Sequence, residues 1–374
     1  MLSIIIIMYS RCCFCLLVAY SILLAGCAAA NAQPLPTLLP LAVLPDSPTL
    51  TPTPWERLPA TFTAVPTWLP SATPLATATL VPVANSPTPD AYEQYTVDYL
   101  ASRAYGQEGA LQIESVMAET AGYTRYLITY PSDGLRIYGF MNVPKSDGPL
   151  AVVLVLHGYW PPAQYNTLGY TAPYANAFAE AGFITIHPNY RNHPPSDQGT
   201  NPFRIGYAVD VLNLLALVRR QAGQVGALQT ADPNDIHLFG HSMGGGIALR
   251  VLVAAQGVET AVLYGAMSGD EARNYERIRA WSNQGDGEFE MSIPAETLAR
   301  ISPVYHLDRV TAQVSIHHGE QDAVVPPAWS AELCEQLRRA VKLVECFTYA
   351  GQPHSFTGAS NQLLIERAIA LFGG

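Results

Sequence analysis

The sequence predicts an α/β domain in which a mostly parallel sheet is covered by helices on both faces. Three observations predict it. From residue 91 onward, short continuous Val/Leu/Ile runs alternate with longer amphipathic segments, the pattern of parallel strands buried between crossover helices. The apolar run at 236–239 ends in Gly240-His241-Ser242-Met243-Gly244 and passes directly into Gly245-Gly246-Ile247-Ala248-Leu249-Arg250-Val251-Leu252, a strand, a tight turn and a helix in succession. Residues 126–130 and 135–141 flank Pro131-Ser132-Asp133-Gly134, a hairpin signal that adds antiparallel strands at one edge.

Before that domain lies a chain of different character. Charged residues make up 13% of the 374 and prolines number 30, so a segment other than a globular core is present. Residues 1–26 are apolar apart from Arg11 and close on Leu23-Leu24-Ala25-Gly26-Cys27, which reads as a secretory signal. That string resembles the bacterial lipoprotein signal, or lipobox. The resemblance implies an acylated Cys27 as mature N-terminus, and through it a membrane contact facing the extracytoplasmic side of a bacterial envelope. An ordinary signal peptide with a chance cysteine and an uncleaved anchor are the alternatives, and initiation at Met8 competes with Met1. Residues 28–90 hold 14 prolines, 11 threonines and four charged groups. Runs such as Thr51-Pro52-Thr53-Pro54 lack donors and restrict their predecessors, so 27–90 is expected to be a disordered, partly polyproline II stalk. Trp55, Phe62 and Trp68 read as incidental there.

Within 91–374, a helical lead-in is expected over 92–117. Strands are expected at 151–156, 183–187, 236–239, 260–264, 313–317 and 343–348, and helices near 171–181, 205–221, 244–255, 327–340 and 360–372. Residues 268–300 interrupt the alternation and are expected to form either a lid over a pocket or a helical surface excursion. The balance of 20 basic to 30 acidic residues, net −10, carries no basic stripe and excludes nucleic acid as a partner. Of six cysteines only Cys334 and Cys346 fall in the domain. In an exported protein they favour a disulfide over two buried thiols, and no Cys/His spacing suits a metal.

The chemistry begins at Ser242. A serine on a sharp strand-to-helix turn is a nucleophile elbow, its Oγ exposed above the sheet, with small neighbours because strand and helix backbones pass closely. Serine needs an imidazole to take its proton and a carboxylate to hold that imidazole. On this topology the acid and the histidine follow in that order, each after a later strand. Asp322, in Gly319-Glu320-Gln321-Asp322-Ala323-Val324-Val325-Pro326, is the expected acid, with Glu320 as competitor. Of nine histidines only His354, in Gln352-Pro353-His354-Ser355-Phe356, has both the order and the position. His187, His317 and His318 read as core or rim residues, and His193 and His306 lack a matching acid. The oxyanion donors are expected to be the backbone N–H groups of Met243 and of Tyr159, in Leu156-His157-Gly158-Tyr159-Trp160. Asp210 and Arg204 read as surface or rim ion pairs.

Across about 125–374 the chain resembles the α/β-hydrolase superfamily, and within it the catalytic domain of the prolyl oligopeptidase family. The likeness is carried by Gly139-Phe140-Met141-Asn142-Val143-Pro144, His157-Gly158, Asn189-Tyr190-Arg191, the elbow, Ile301-Ser302-Pro303 and the acid loop through to His354. It implies an α/β-hydrolase fold and a serine hydrolase that cleaves a small peptide or ester substrate with no cofactor and no metal. It also places Trp160 and Tyr190 among substrate contacts. Three departures matter: no room for a gating propeller, His157-Gly158-Tyr159-Trp160 where the peptidases often carry His-Gly-Gly-Pro, and Asn192-His193-Pro194-Pro195 where Gly-Ser is usual. Hydrolase chemistry is therefore expected, with peptidase, carboxylesterase and a non-catalytic surface-binding lipoprotein as successive readings. The sequence leaves the oligomeric state open.

Overall fold

A computed structural model describes residues 90–282 and 286–373. The expected signal, the expected lipidation site Cys27 and the expected stalk up to residue 89 lie outside these residues. Nine strands form one sheet in the order β1-β2-β3-β5-β4-β6-β7-β8-β9. β1 (Gln112–Glu119), β2 (Tyr123–Ser132) and β3 (Leu135–Pro144) make an antiparallel edge. β3 runs antiparallel to β5 (Ile184–Pro188), and from there β4 (Leu150–Leu156), β6 (Ala231–His241), β7 (Thr260–Tyr264), β8 (Gln313–Gly319) and β9 (Val344–Tyr349) are parallel. The hairpin turn is Asp133-Gly134, both at positive φ (50° and 77°), which a two-residue turn matched to strand twist requires.

The lead-in is the main departure from the expected elements. Only a 3-10 turn at Glu93–Tyr95 and α1 (Val97–Ser102) are helical, the latter begun by Thr96 Oγ1 accepting the Tyr99 N–H, and residues 112–119 are the strand β1. β1 hides from a periodicity reading because bulges between Ile113 and Ser115 and between Val116 and Ala118 break its alternation. It is exposed along nearly its whole length.

Neighbouring residues of each central strand divide between two cores. Val152, Leu154 and Leu156 of β4 join Leu238, Leu263 and Ile316 on one face, packed by α3 (Ile205–Gln221), α4 (Met243–Ala254) and α8 (Pro327–Arg339). Val153 and Val155 face the other way with Phe239, Val262 and Tyr264, under α2 (Ala172–Glu180) and α9 (Gly358–Phe372). Burial on both faces is why these strands read as unbroken apolar runs. Successive connections leave β4 in opposite directions, to β5 on one side and β6 on the other. The ends of β4 and β6 therefore flank the crevice where parallel sheets place ligands.

The insert forms α5 (Glu271–Trp281), α6 (Glu288–Met291) and α7 (Ala295–Ile301). Cys334 on α8 and Cys346 on β9 are joined by a disulfide, with Cα atoms 6.4 Å apart. Closing a loop this short stabilises by about 3 kcal/mol in the chain-entropy account. Non-reducing peptide mapping is expected to recover both cysteines in one cross-linked fragment, and reduction is expected to lower Tm by several degrees; two separate thiol peptides would contradict the bridge.

Candidate active site

The end of β6 delivers Ser242 at φ 57°, ψ −120°. This conformation is strained for any residue with a Cβ and lifts the side chain off the strand direction. Hydrogen bonds over-determine it: Ser242 N–H donates to Tyr264 O at 2.9 Å, and Ser242 O accepts from Gly245 and Met267 N–H, both at 3.0 Å. The turn also depends on missing side chains. A Cβ on Gly244 would sit 2.1 Å from Leu156 O, and one on Gly240 would sit 2.4 Å from Gly244 O. Both contacts are backbone and cannot yield, so the turn admits only glycine at these points.

Asp322 follows β8 and its carboxylate is fully buried. Its Oδ1 accepts the Val324 and Val325 N–H groups, each at 2.8 Å. Its Oδ2 lies 2.7 Å from His354 Nδ1 and 3.0 Å from His318 Nε2. Burial pushes the carboxyl pKa up, but the bonds from His318, His354 and the Val325 N–H outweigh it and hold it well below the usual range. Glu320, the competitor from the sequence, is exposed.

His354 lies beyond β9, partly exposed. Its ring centroid is 4.7 Å from that of His241, whose Nε2 is bonded to His354 O at 3.0 Å. Burial, then the neighbouring His354, holds His241 at about 3, so this ring stays neutral beside the other. A Cβ on Gly265 would lie 3.3 Å from His354 Nδ1, and Gly265 follows the carbonyl that Ser242 N–H binds. Ser242, Asp322 and His354 thus meet at the C-terminal edge of β6, β7 and β8. No hydrogen bond joins Ser242 Oγ to His354 among the described residues; such contacts often tighten only around substrate.

The loop after β4 lies against the serine, since a Cβ on Gly158 would be 3.0 Å from Ser242 Cβ. The N–H groups of Tyr159, next in that loop, and of Met243, the first residue of α4, donate to no protein group among the described residues. The Tyr159 side chain is 65% exposed. Trp160, half-buried at the rim, donates Nε1–H to Gln164 O at 2.9 Å and meets Tyr170 edge-on.

The structure parts from the sequence reading at two positions, Tyr190 and Asp210. Tyr190 is fully buried at φ 62°, its ring stacked between His157 at 4.3 Å and Tyr207 at 5.3 Å. That left-handed turn aims it beneath the loop, where it packs on His157 and offers substrate no surface. Asp210 is fully buried and paired with Arg191 at 2.8 Å, bracing Asn189-Tyr190-Arg191 against α3. Arg204 is paired with Glu271, which also binds the buried Arg250. Asp210 is thus neither a surface nor a rim ion pair, because the fold closes over it, whereas the part-exposed Arg204 makes its ion pair at the rim as expected.

Tyr170 was not legible beforehand. At φ 52° it turns its hydroxyl into the space a Gly158 side chain would fill. Burial raises its pKa. The insert reaches the site through Arg277 of α5, which donates to the carbonyls of Ala323 and Val324 in the acid loop and stacks on the exposed Trp281.

Residues 152–364 match the model of the alpha/beta hydrolase family, and the chain belongs to that family. It is 26% identical over 247 residues, 65% of this chain and 90% of the relative, to the uncharacterized peptidase YtmA of Bacillus subtilis (strain 168). Among solved structures, acetyl xylan esterase 1 from Thermoanaerobacterium sp. JW/SL YS485 superposes with TM-score 0.59 at 16% identity, over 76% of this chain and 95% of that one. The Pyrococcus horikoshii acylaminoacyl peptidase superposes with TM-score 0.53 at 18% identity, over 68% of this chain but 42% of that one. Peptidases and esterases share this fold, and the chain is a hydrolase of it.

Proposed function

We propose that the protein is a membrane-tethered, extracytoplasmic serine hydrolase. Ser242 Oγ attacks an amide or ester carbonyl, and His354 takes the serine proton. Asp322 holds that imidazole in the tautomer with Nδ1–H toward the carboxylate. The Met243 and Tyr159 N–H groups receive the developing oxyanion. Collapse gives an acyl-enzyme as His354 protonates the leaving group; water, activated by the same imidazole, then releases the acid. The observation that carries this reading is a strained elbow serine at the same sheet edge as an imidazole bonded to a fully buried carboxylate.

A peptidase of the prolyl oligopeptidase type is the first reading, supported by Asn189-Tyr190-Arg191 and by the likeness to a curated peptidase. Esterase activity is the second, favoured by the exposed Tyr159 in the oxyanion loop where the peptidases often carry glycine. Cys27 would tether the domain through its stalk.

A fluorophosphonate probe tests the chemistry. Wild type is expected to label and Ser242→Ala is not; equal labelling of both, or none of either, ends the enzymatic reading. Turnover of p-nitrophenyl esters against peptide amides then separates the two substrate classes. Mass spectrometry of the mature N-terminus is expected to show a lipidated Cys27, and an unmodified later residue would remove the tether.

A further inference from the structure

The carboxylate of Asp322 carries a second imidazole that the triad does not require. His318, at the end of β8, is 1% exposed. Its Nε2 lies 3.0 Å from Asp322 Oδ2 and 3.0 Å from Val325 O. Both neighbours can only accept, so the ring proton must sit on Nε2; the N–H is directed at Val325 O, and Asp322 Oδ2 lies beside it at ion-pair distance. The other ring nitrogen, Nδ1, is 2.6 Å from Ser330 Oγ on α8, whose hydroxyl can donate to the lone pair that this tautomer leaves there. The sequence of contacts is therefore His354, Asp322, His318, Ser330, running from the cleft into the buried layer beneath α8.

We propose that His318 is a positioning residue for the reaction, holding the plane of the Asp322 carboxylate and sharing the oxygen that receives His354. This rests on the triad reading above. Oδ1 is already fixed by two backbone N–H groups, so His318 decides how much of Oδ2 is left for His354. The Nε2–H dipole beside that oxygen offsets part of its charge, so less of it is left for the Asp322–His354 bond. The other groups facing this pair are the neutral His241 from β6, the Tyr170 hydroxyl from the loop before α2, and the Arg277 guanidinium of α5 on the acid-loop carbonyls. None of these donates to Oδ2 among the described residues, and the second imidazole against that oxygen is His318.

The test compares wild type, His318→Leu and His318→Gln. Glutamine can return an N–H donor to the Nε2 position, and leucine cannot. One readout is the acid limb of the kcat/KM profile on an activated ester. The other is the pH titration of the downfield Nδ1–H proton resonance of His354, which needs no substrate. His318→Leu is expected to move both upward by about half a pH unit, the scale of one charge-assisted hydrogen bond partly redistributed. His318→Gln is expected to return them most of the way. A His318→Leu protein that loses Tm or kcat while both readouts stay at the wild-type pH overturns the proposal, since that is a packing role. If His318→Leu does not fold, Ser330→Ala carries the test: it frees the ring, the shift is expected in the same direction, and unmoved readouts refute it. Failure of wild type to label or turn over would count against the triad reading, while the resonance would still report on His318.

Discussion

Asp322→Asn is expected to lower kcat/KM by about 10³- to 10⁴-fold while leaving the fold in place. The local bonding dictates the mechanism. The Val324 and Val325 N–H groups both point at Oδ1, so the asparagine amide must turn its oxygen toward them. Its NH2 group then faces His354 Nδ1, where the carboxylate oxygen stands in the wild type. An N–H in that place can only donate, so His354 must accept through Nδ1 and carry its proton on Nε2. A ring in that tautomer cannot take a proton from Ser242. The loss amounts to about 4–5.5 kcal/mol of barrier, and it should fall on kcat, with KM and far-UV circular dichroism close to wild type. Stopped ester turnover together with an unchanged melting curve is the expected pair of results. A fall of only a few-fold would mean that Asp322 serves structure and that another group orients the imidazole.

How far the site could be read in advance follows from how local each feature is. The elbow is one contiguous stretch, and its glycines are required by backbone contacts at 2.1 and 2.4 Å, so spacing alone exposes it. Asp322 and His354 are distant in sequence, yet topology constrains their order, and the structure puts them 2.7 Å apart. The parallel strands were legible because burial on both faces leaves unbroken apolar runs. β1 was not, because its bulges destroy the alternation that marks a strand. Tyr190 misled because a left-handed backbone reverses the direction in which a side chain leaves, and no residue type announces that conformation for a tyrosine. Asp210 misled for another reason. A charged residue reads as exposed unless its partner is known, and its partner, Arg191, comes from outside its own helix. The hydrogen bonding of His318 was likewise hidden, since a histidine before Gly319 gives no sign of which oxygen it will meet.

The second large effect concerns a buried charge. Glu271 opens α5 with its N–H on Ser302 Oγ, and its carboxylate serves Arg250 at 2.5 Å and Arg204. Arg250 is 3% exposed, and burial lowers its pKa despite Glu271. Arg204 Nη1 is buried without a partner, and beyond Glu271 its guanidinium has the Tyr275 ring at 4.7 Å. Glu271→Ala therefore leaves the buried Arg250 without its counter-charge and strips the part-exposed Arg204 of its ion-pair partner, and the expected cost is about 3–5 kcal/mol. For a domain of this size that corresponds to a fall in Tm of roughly 5–8 °C, measured by calorimetry or by circular dichroism. Replacing all three residues together, by Arg204→Met, Arg250→Met and Glu271→Leu, is expected to recover most of the loss, because it is the unpaired charge and not the missing ion pair that destabilises. Activity should respond less than stability at 25 °C. The same helix presents Arg277 to the acid loop, but two backbone N–H groups also hold Asp322, so loosening α5 removes one restraint of several. If the triple variant proved no better than Glu271→Ala, the cluster would be acting through shape, by filling the space between α4 and α5, and its charges would be incidental to folding.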